Sequence, residues 1–162
     1  MAKVIVLRGV SGSGKSHLAE EMYMTSIAKG GSPNTVVVSA DHFMVDAEGE
    51  YAFDFRRLQE CHGKCLARFI NLAQAAVGDS GPERILVDNT NATLWEVSPY
   101  INVALAYGLD VQVITLICDP KVAFERSQHQ TPAVAILRKD SQLRESAAEM
   151  PSWWHQEVRF VS

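Results

Sequence analysis

Gly9, Val10, Ser11, Gly12, Ser13, Gly14, Lys15 and Ser16 follow one another without a break, a complete G-x-x-x-x-G-K-S loop. Glycines let backbone N–H groups close around phosphate oxygens, and a helix starting at the loop adds its positive end. A lysine at this place reaches β- and γ-phosphates, and the serine hydroxyl after it can bind Mg2+. A glycine-rich turn with no ligand is the alternative. The flanks argue against it. Val4-Ile5-Val6-Leu7 reads as a buried strand, and Leu18, Ala19, Met22, Tyr23 and Ile27 are apolar at helical spacing. Strand, loop and helix in this order make a nucleoside triphosphate site.

The elements that would position a partner for that loop alternate between strand and helix, which implies a parallel sheet with helices on both faces. Lys29 to Asn34 reads as a turn and Thr35 to Ser39 as a second strand. Residues 41–53 have no regular pattern. A long amphipathic helix is expected from Phe55 to about Val77, with Phe55, Leu58, His62, Cys65, Leu66, Phe69, Leu72, Ala73 and Ala76 inward. Ile85-Leu86-Val87 is a third strand, Leu94 to Tyr107 a helix ending near Gly108, and Val111 to Ile117 a fourth strand. Asp119 and Pro120 suit the cap and first position of the next helix. Ala133 to about Ala148 is a further helix, and Val158 to Val161 a last strand at the sheet edge.

Ligands of such sheets bind beyond the carboxyl ends of the strands. That places Asp41, Asp88, Asn89, Thr90, Asn91 and Asp119 with the loop. Asp41 is either a base that takes the proton of an attacking hydroxyl or a loop acid that caps a turn. Asp88 stands where an acid supports Mg2+. Asn89 and Asn91 could orient substrate or hold the loop, and Thr90 or Asn91 could cap the following helix. Arg126, on the helix after the fourth strand, is either a lid arginine acting on transferring phosphoryl charge or a surface arginine paired with Glu125. Arg57, Lys64 and Arg68 share one face of the long helix, a substrate-facing stripe or a solvated one. Trp153 and Trp154 suit packing.

Composition bounds the partners. The 162 residues make one domain, 1–162, with 47% hydrophobic and 21% charged residues, as in a soluble globule. The net charge of −4 argues against binding long nucleic acid by its phosphates. No apolar run of about 18 residues exists for a membrane span. Cys61, Cys65 and Cys118 lie in apolar patterns, as reduced core cysteines of a cytoplasmic protein would.

The phosphate loop, Ser39-Ala40-Asp41-His42-Phe43, Asp88-Asn89-Thr90-Asn91, and Arg126 with His129 and Pro132 together resemble the P-loop kinases of the polynucleotide 5′-hydroxyl kinase group. The small predicted ATP-binding proteins of that group are more similar still, since Tyr51-Ala52-Phe53-Asp54 matches their Tyr-x-Phe-Asp stretch. The resemblance covers nearly the whole chain. It implies an α/β P-loop NTPase fold, a three-layer sandwich with about four or five parallel strands and a helical lid. It implies ATP and Mg2+ at Lys15 and Ser16, Asp41 as base, Arg126 on the phosphates, and the 88–91 turn on acceptor or metal. The acceptor would be the hydroxyl of an oligonucleotide end or of a small molecule. Phage-type members carry an arginine for substrate phosphate three residues after the base; here Met44 stands there, which argues against a polynucleotide. An ATP-binding switch would need the loop but no base, and a hydrolase would need a water-orienting residue that the sequence does not reveal.

Overall fold

The computed structural model describes residues 1–28, 34–129 and 131–162, so the turn at Lys29–Asn34 lies, apart from Asn34, outside the described residues. Five strands form one parallel sheet: β1 (Lys3–Arg8), β2 (Thr35–Val38), β3 (Arg84–Asp88), β4 (Asp110–Cys118) and β5 (Gln156–Val161), in the order β2-β3-β1-β4-β5. The central strand is β1, so its carboxyl end opens between those of β3 and β4.

Side chains alternate across a strand, and the alternation here assigns the layers. Val4 and Val6 of β1, with Ile85 and Val87 of β3, join a core that includes Cys61, Cys65 and Phe69 of α2 (Leu58–Ala75) and Val97 and Ile101 of α3 (Leu94–Ala106). Ile5 and Leu7 face the other way, with Leu86, Ile114 and Leu116, against Ala19 of α1 (Lys15–Ala28). Helices therefore cover both faces, the three layers implied by the sequence. Two further helices follow β4. In α4 (Pro120–Arg126), Asp119 caps the first turn by accepting from the Lys121 amide, with Pro120 at the start. Next comes α5 (Ala133–Ala148). Among the described residues, no helix is long and apolar enough to cross a membrane.

Two local expectations are corrected. The long helix does not start at Phe55. Asp54 accepts from the Arg56 amide and winds Phe55–Arg57 into a 3-10 turn, which leaves Phe55 71% exposed. The buried stripe of α2 is Cys61, Cys65, Phe69 and Ala73, one residue away from the expected one at its start, because Cys61 packs against Met44 and the Phe43 carbonyl. The cap of α3 is neither Thr90 nor Asn91. Thr93 accepts from the Glu96 amide while the Glu96 carboxylate accepts from the Thr93 amide, a reciprocal capping box that Thr93-x-x-Glu96 spells in the sequence.

One buried charge ties these layers to the loop. Arg8, the residue before Gly9, is fully buried at the end of β1. It donates to the carbonyls of Asn91 (2.8 Å) and Ala92 (3.3 Å), to Thr115 Oγ1, to Met150 Sδ and to Ser146 Oγ. Burial pushes its guanidinium down to about 10, and the Glu96 charge offsets part of that. One side chain thus joins β1, β4, the turn after β3 and α5.

Candidate active site

The phosphate loop closes between β1 and α1. Gly12 and Gly14 take φ values of +79° and +93°, which L side chains rarely adopt. Gly12 also has no room for a Cβ, since the backbone of Ala123 in α4 lies against it. Val10 and Ser13 are buried at the back of the loop, and the Gly9 amide donates to the Thr90 carbonyl at 3.0 Å. The Lys15 ammonium is buried and donates to the Val10 carbonyl at 3.0 Å. Burial lowers its pKa, and the charges of Asp88 and then Asp41 act against that. Ser16 Oγ donates to Asp88 Oδ2 at 2.7 Å.

A crevice of about 560 Å3 opens in front of the loop. Ser11, Gly12, Gly14, Lys15 and Ser16 line one side, with Asp41, Asp88 and Asn89 at the ends of their strands. Arg126 lines it from α4, where its guanidinium donates to the Ser162 carbonyl at 3.0 Å. Lys15, Ser16, Asp41, Asp88, Asn89 and Arg126 therefore share one cavity, as the strand-end rule requires.

The two asparagines have separate destinations. Asn89 is 6% exposed; its Oδ1 accepts from the Ala40 amide at 2.8 Å, and its Nδ2 donates to Tyr100 Oη at 3.2 Å. It therefore braces the turn that carries Asp41. Asn91 is absent from the crevice wall. With φ +46° it turns back into the core, where its Nδ2 donates to the Leu7 carbonyl at 2.9 Å and its own carbonyl accepts from Arg8. A substrate contact from Asn91 is therefore corrected to a brace beneath the loop. Asp119, likewise, serves as the α4 cap. Of the two readings of Arg57, Lys64 and Arg68, the solvated one holds for Lys64 and Arg68, which are exposed on α2, while Arg57 lies just ahead of that helix. Arg57 donates to the Val45 and Phe43 carbonyls, and Lys64 pairs with Glu60 at the surface.

Further residues complete the wall. Met44, Tyr51, Phe53, Leu58 and His62 line the side facing the loop, and Lys139 closes it from α5. Of these, the Tyr-x-Phe-Asp resemblance was the signal for Tyr51 and Phe53; nothing in the pattern marked Lys139. The stretch that follows α4 touches both sides. Ser127 Oγ lies 2.9 Å from Ser11 Oγ, Thr131 Oγ1 donates to Ser11 Oγ at 3.2 Å, and His129 stacks on Tyr51 with ring centroids 4.0 Å apart. Partial burial lowers the imidazole of His62, with Glu96 and Asp41 acting in the opposite direction, and lowers that of His42, helped by Arg68. Both rings are therefore biased toward the neutral form.

Comparison with known proteins agrees with this architecture. Human NEDD4-binding protein 2 is 32% identical over 98 residues, which make up 60% of this chain but only 5% of that much longer protein. The APS kinase CysC of Mycobacterium tuberculosis, solved with AMPPNP and APS, aligns with a TM-score of 0.60 at 17% identity, over 99% of this chain and 90% of that one. A gluconokinase from Sinorhizobium meliloti 1021 aligns with a TM-score of 0.53 at 18% identity, over 99% and 83%. These two likenesses are likenesses of fold. A family model described as an AAA domain, AAA_33, matches residues 4–151. That match takes in the phosphate loop, all five helices and every strand but β5, and the chain belongs to this AAA domain family of P-loop proteins.

Proposed function

We propose that this chain is an ATP-dependent kinase that transfers the γ-phosphoryl group of Mg-ATP to a hydroxyl acceptor. The observation that carries the proposal is the presence of Asp41 in the same crevice as Lys15 and Ser16. A module that only bound nucleotide would need no carboxylate across from its loop. Two fold neighbours being named kinases supports the same reading.

In this scheme the loop amides and Lys15 hold the triphosphate, Lys15 exchanging the Val10 carbonyl for phosphate oxygens. Ser16 and Asp88 would hold Mg2+, since a hydroxyl and a carboxylate oxygen 2.7 Å apart at the loop mouth are hard ligands of the kind it selects. The bound ion would neutralise charge on the phosphates. Asp41 accepts the proton of the acceptor hydroxyl as its oxygen forms the new bond to the γ-phosphorus. The bond from that phosphorus to the bridging oxygen breaks, and ADP leaves with the electron pair. Arg126, released from the Ser162 carbonyl, stabilises charge on the group in flight. Asn89 acts at one remove, by fixing the Ala40–Asp41 turn. The three cysteines are free and buried, which supports a reducing compartment such as the cytoplasm.

The test is a transfer screen with γ-labelled ATP, setting 5′-hydroxyl DNA and RNA oligonucleotides against pools of small hydroxylated compounds. Label appearing in an acceptor with wild type and disappearing with Asp41→Asn supports the scheme. Release of inorganic phosphate alone, equal in both proteins, would show a hydrolase instead.

A further inference from the structure

The crevice is polarised, and the polarity specifies its second substrate. Cationic groups gather on the nucleotide side, where Lys15 and Arg126 stand beside the loop. The opposite side is apolar and aromatic. Phe53 lines the cavity yet remains 61% exposed, Leu58 is 39% exposed, and Met44 is buried behind them. Exposed aromatic surface inside a cavity is the usual mark of a site for a flat apolar group.

Charge on that side points the same way. Lys139 is the cation lining it among the described residues, and its ammonium is paired to Glu96 at 2.9 Å. Arg57, nearby on the chain, is committed to the carbonyls of Val45 and Phe43. Against these stands Asp41 on the crevice wall, and His62 is biased to neutrality. A phosphate on the acceptor would meet the Asp41 carboxylate and an ammonium already paired to Glu96. It would lose water without gaining a charge-assisted partner.

We infer that the acceptor is a small, uncharged molecule whose hydroxyl is carried on or beside a flat ring that can stack, seated on Phe53 and Leu58 and presented to Asp41. This inference rests on the kinase reading above and specifies the substrate class of the same site. It departs from a polynucleotide end, whose reacting nucleotide carries a phosphate on its other side.

Three matched probes test it: uridine, ribose, which lacks the ring, and uridine 3′-monophosphate, which adds the charge. Binding is measured by calorimetry with the site saturated with Mg-AMPPNP, and transfer from labelled ATP is measured separately. Uridine is expected to bind at least about tenfold more tightly than either of the others, the scale of one base–aromatic contact. Phe53→Ala should lower uridine affinity about tenfold and erase the preference over ribose. Leu58→Lys should shift the preference toward uridine 3′-monophosphate by supplying the missing cation. Both positions are exposed enough to be changed without emptying the core, and thermal unfolding checks that. Equal binding of ribose and uridine, tighter binding of the phosphate in wild type, or no binding of any probe overturns the inference. The kinase reading stands or falls on the other measurement. Uridine bound but never labelled would sink phosphoryl transfer and leave the pocket assignment, whereas label on ribose or the phosphate would do the reverse.

Discussion

Replacing Asn89 by alanine separates the floor of the site from its chemistry. The side chain is buried, accepts from the Ala40 amide, and donates to Tyr100 Oη and, weakly at 3.5 Å, to Cys65 Sγ. Without it, the buried Ala40 N–H has no acceptor, at a cost of about 1–3 kcal/mol, and the lost Tyr100 bond adds about 1 kcal/mol. The sum, about 2–4 kcal/mol, corresponds to a fall of about 5–15 °C in melting temperature for a chain of this size. The larger effect should be on transfer. Asp41 follows Ala40 directly, and its own amide is held only by a 3.3 Å bond to Ser39 Oγ. A base misplaced by about 1 Å costs on the order of 10²-fold in rate. ATP affinity should hold, because the loop is anchored elsewhere, through Gly9 to Thr90. Thermal unfolding, calorimetry with Mg-ATP and steady-state transfer give the three readings. Tyr100→Phe is the control: it removes the far bond while leaving the Asn89 oxygen on Ala40, so stability should fall by about 1 kcal/mol with turnover nearly unchanged. The reasoning is refuted if Asn89→Ala transfers at the wild-type rate. It is equally refuted if Tyr100→Phe loses as much turnover as Asn89→Ala.

Other perturbations read the remaining parts of the site. Lys15→Ala should weaken Mg-ATP binding by about 10- to 100-fold, the worth of a charge-assisted bond, in a protein that still unfolds cooperatively; unchanged affinity by calorimetry would remove the lysine from the site. Asp41→Asn should retain ATP affinity and lose about 10²–10⁴-fold in transfer, and wild-type rates would exclude it as the base. Arg126→Ala should lower turnover more than it raises the apparent KM for ATP, with Arg126→Lys a partial rescue because a point charge does not copy the planar fork; kinetics that do not change would leave it tied to Ser162 alone. Burial works to raise the pKa of Glu96, but Lys139 and the bonds to Thr93 outweigh it and hold it below the ordinary value. Its contribution to stability should be complete above the ordinary glutamate pKa and be lost as pH falls through the lower folded value. Melting curves of wild type and Glu96→Gln should therefore converge at acid pH, and a constant gap would contradict the pair.

The parts of this site written in local sequence were legible, and the parts written in direction were not. Apolar runs before Gly9, Asp41 and Asp88 mark strands, and the strand-end rule carries their acids to one crevice without knowledge of strand order. The order itself depends on long-range register that no local pattern encodes. Asn89 and Asn91 show the limit most sharply. Both are amides in the same turn, two residues apart. The strand has already ended at Asp88, and what separates the two is the left-handed backbone of Asn91, which turns its side chain under the loop while Asn89 stays under the turn of Asp41. Phe53 was marked by the Tyr-x-Phe-Asp resemblance but not by periodicity, which looks for apolar residues that are buried, whereas Phe53 matters by staying exposed.

These directions produce a division of labour between floor and wall. The floor is made of buried polar groups whose bonds are already spent: Arg8 on two carbonyls, two hydroxyls and a sulfur, Asn91 on Leu7, Asn89 on Ala40. Each such group would be costly to orphan, so the floor holds one geometry, which electrostatic catalysis requires of groups that must not reorganise during the reaction. The wall and lid are held differently. Tyr51 on His129, Ser11 with Ser127 and Thr131, and Arg126 on the Ser162 carbonyl are single contacts near the surface, each weak enough to be exchanged. On the kinase reading, substrate entry would exchange some of them, and the residues they join come from both sides of the cavity. The proposed kinase would thus fix the atoms that meet the phosphates and the base, and leave exchangeable the contacts that an acceptor passes.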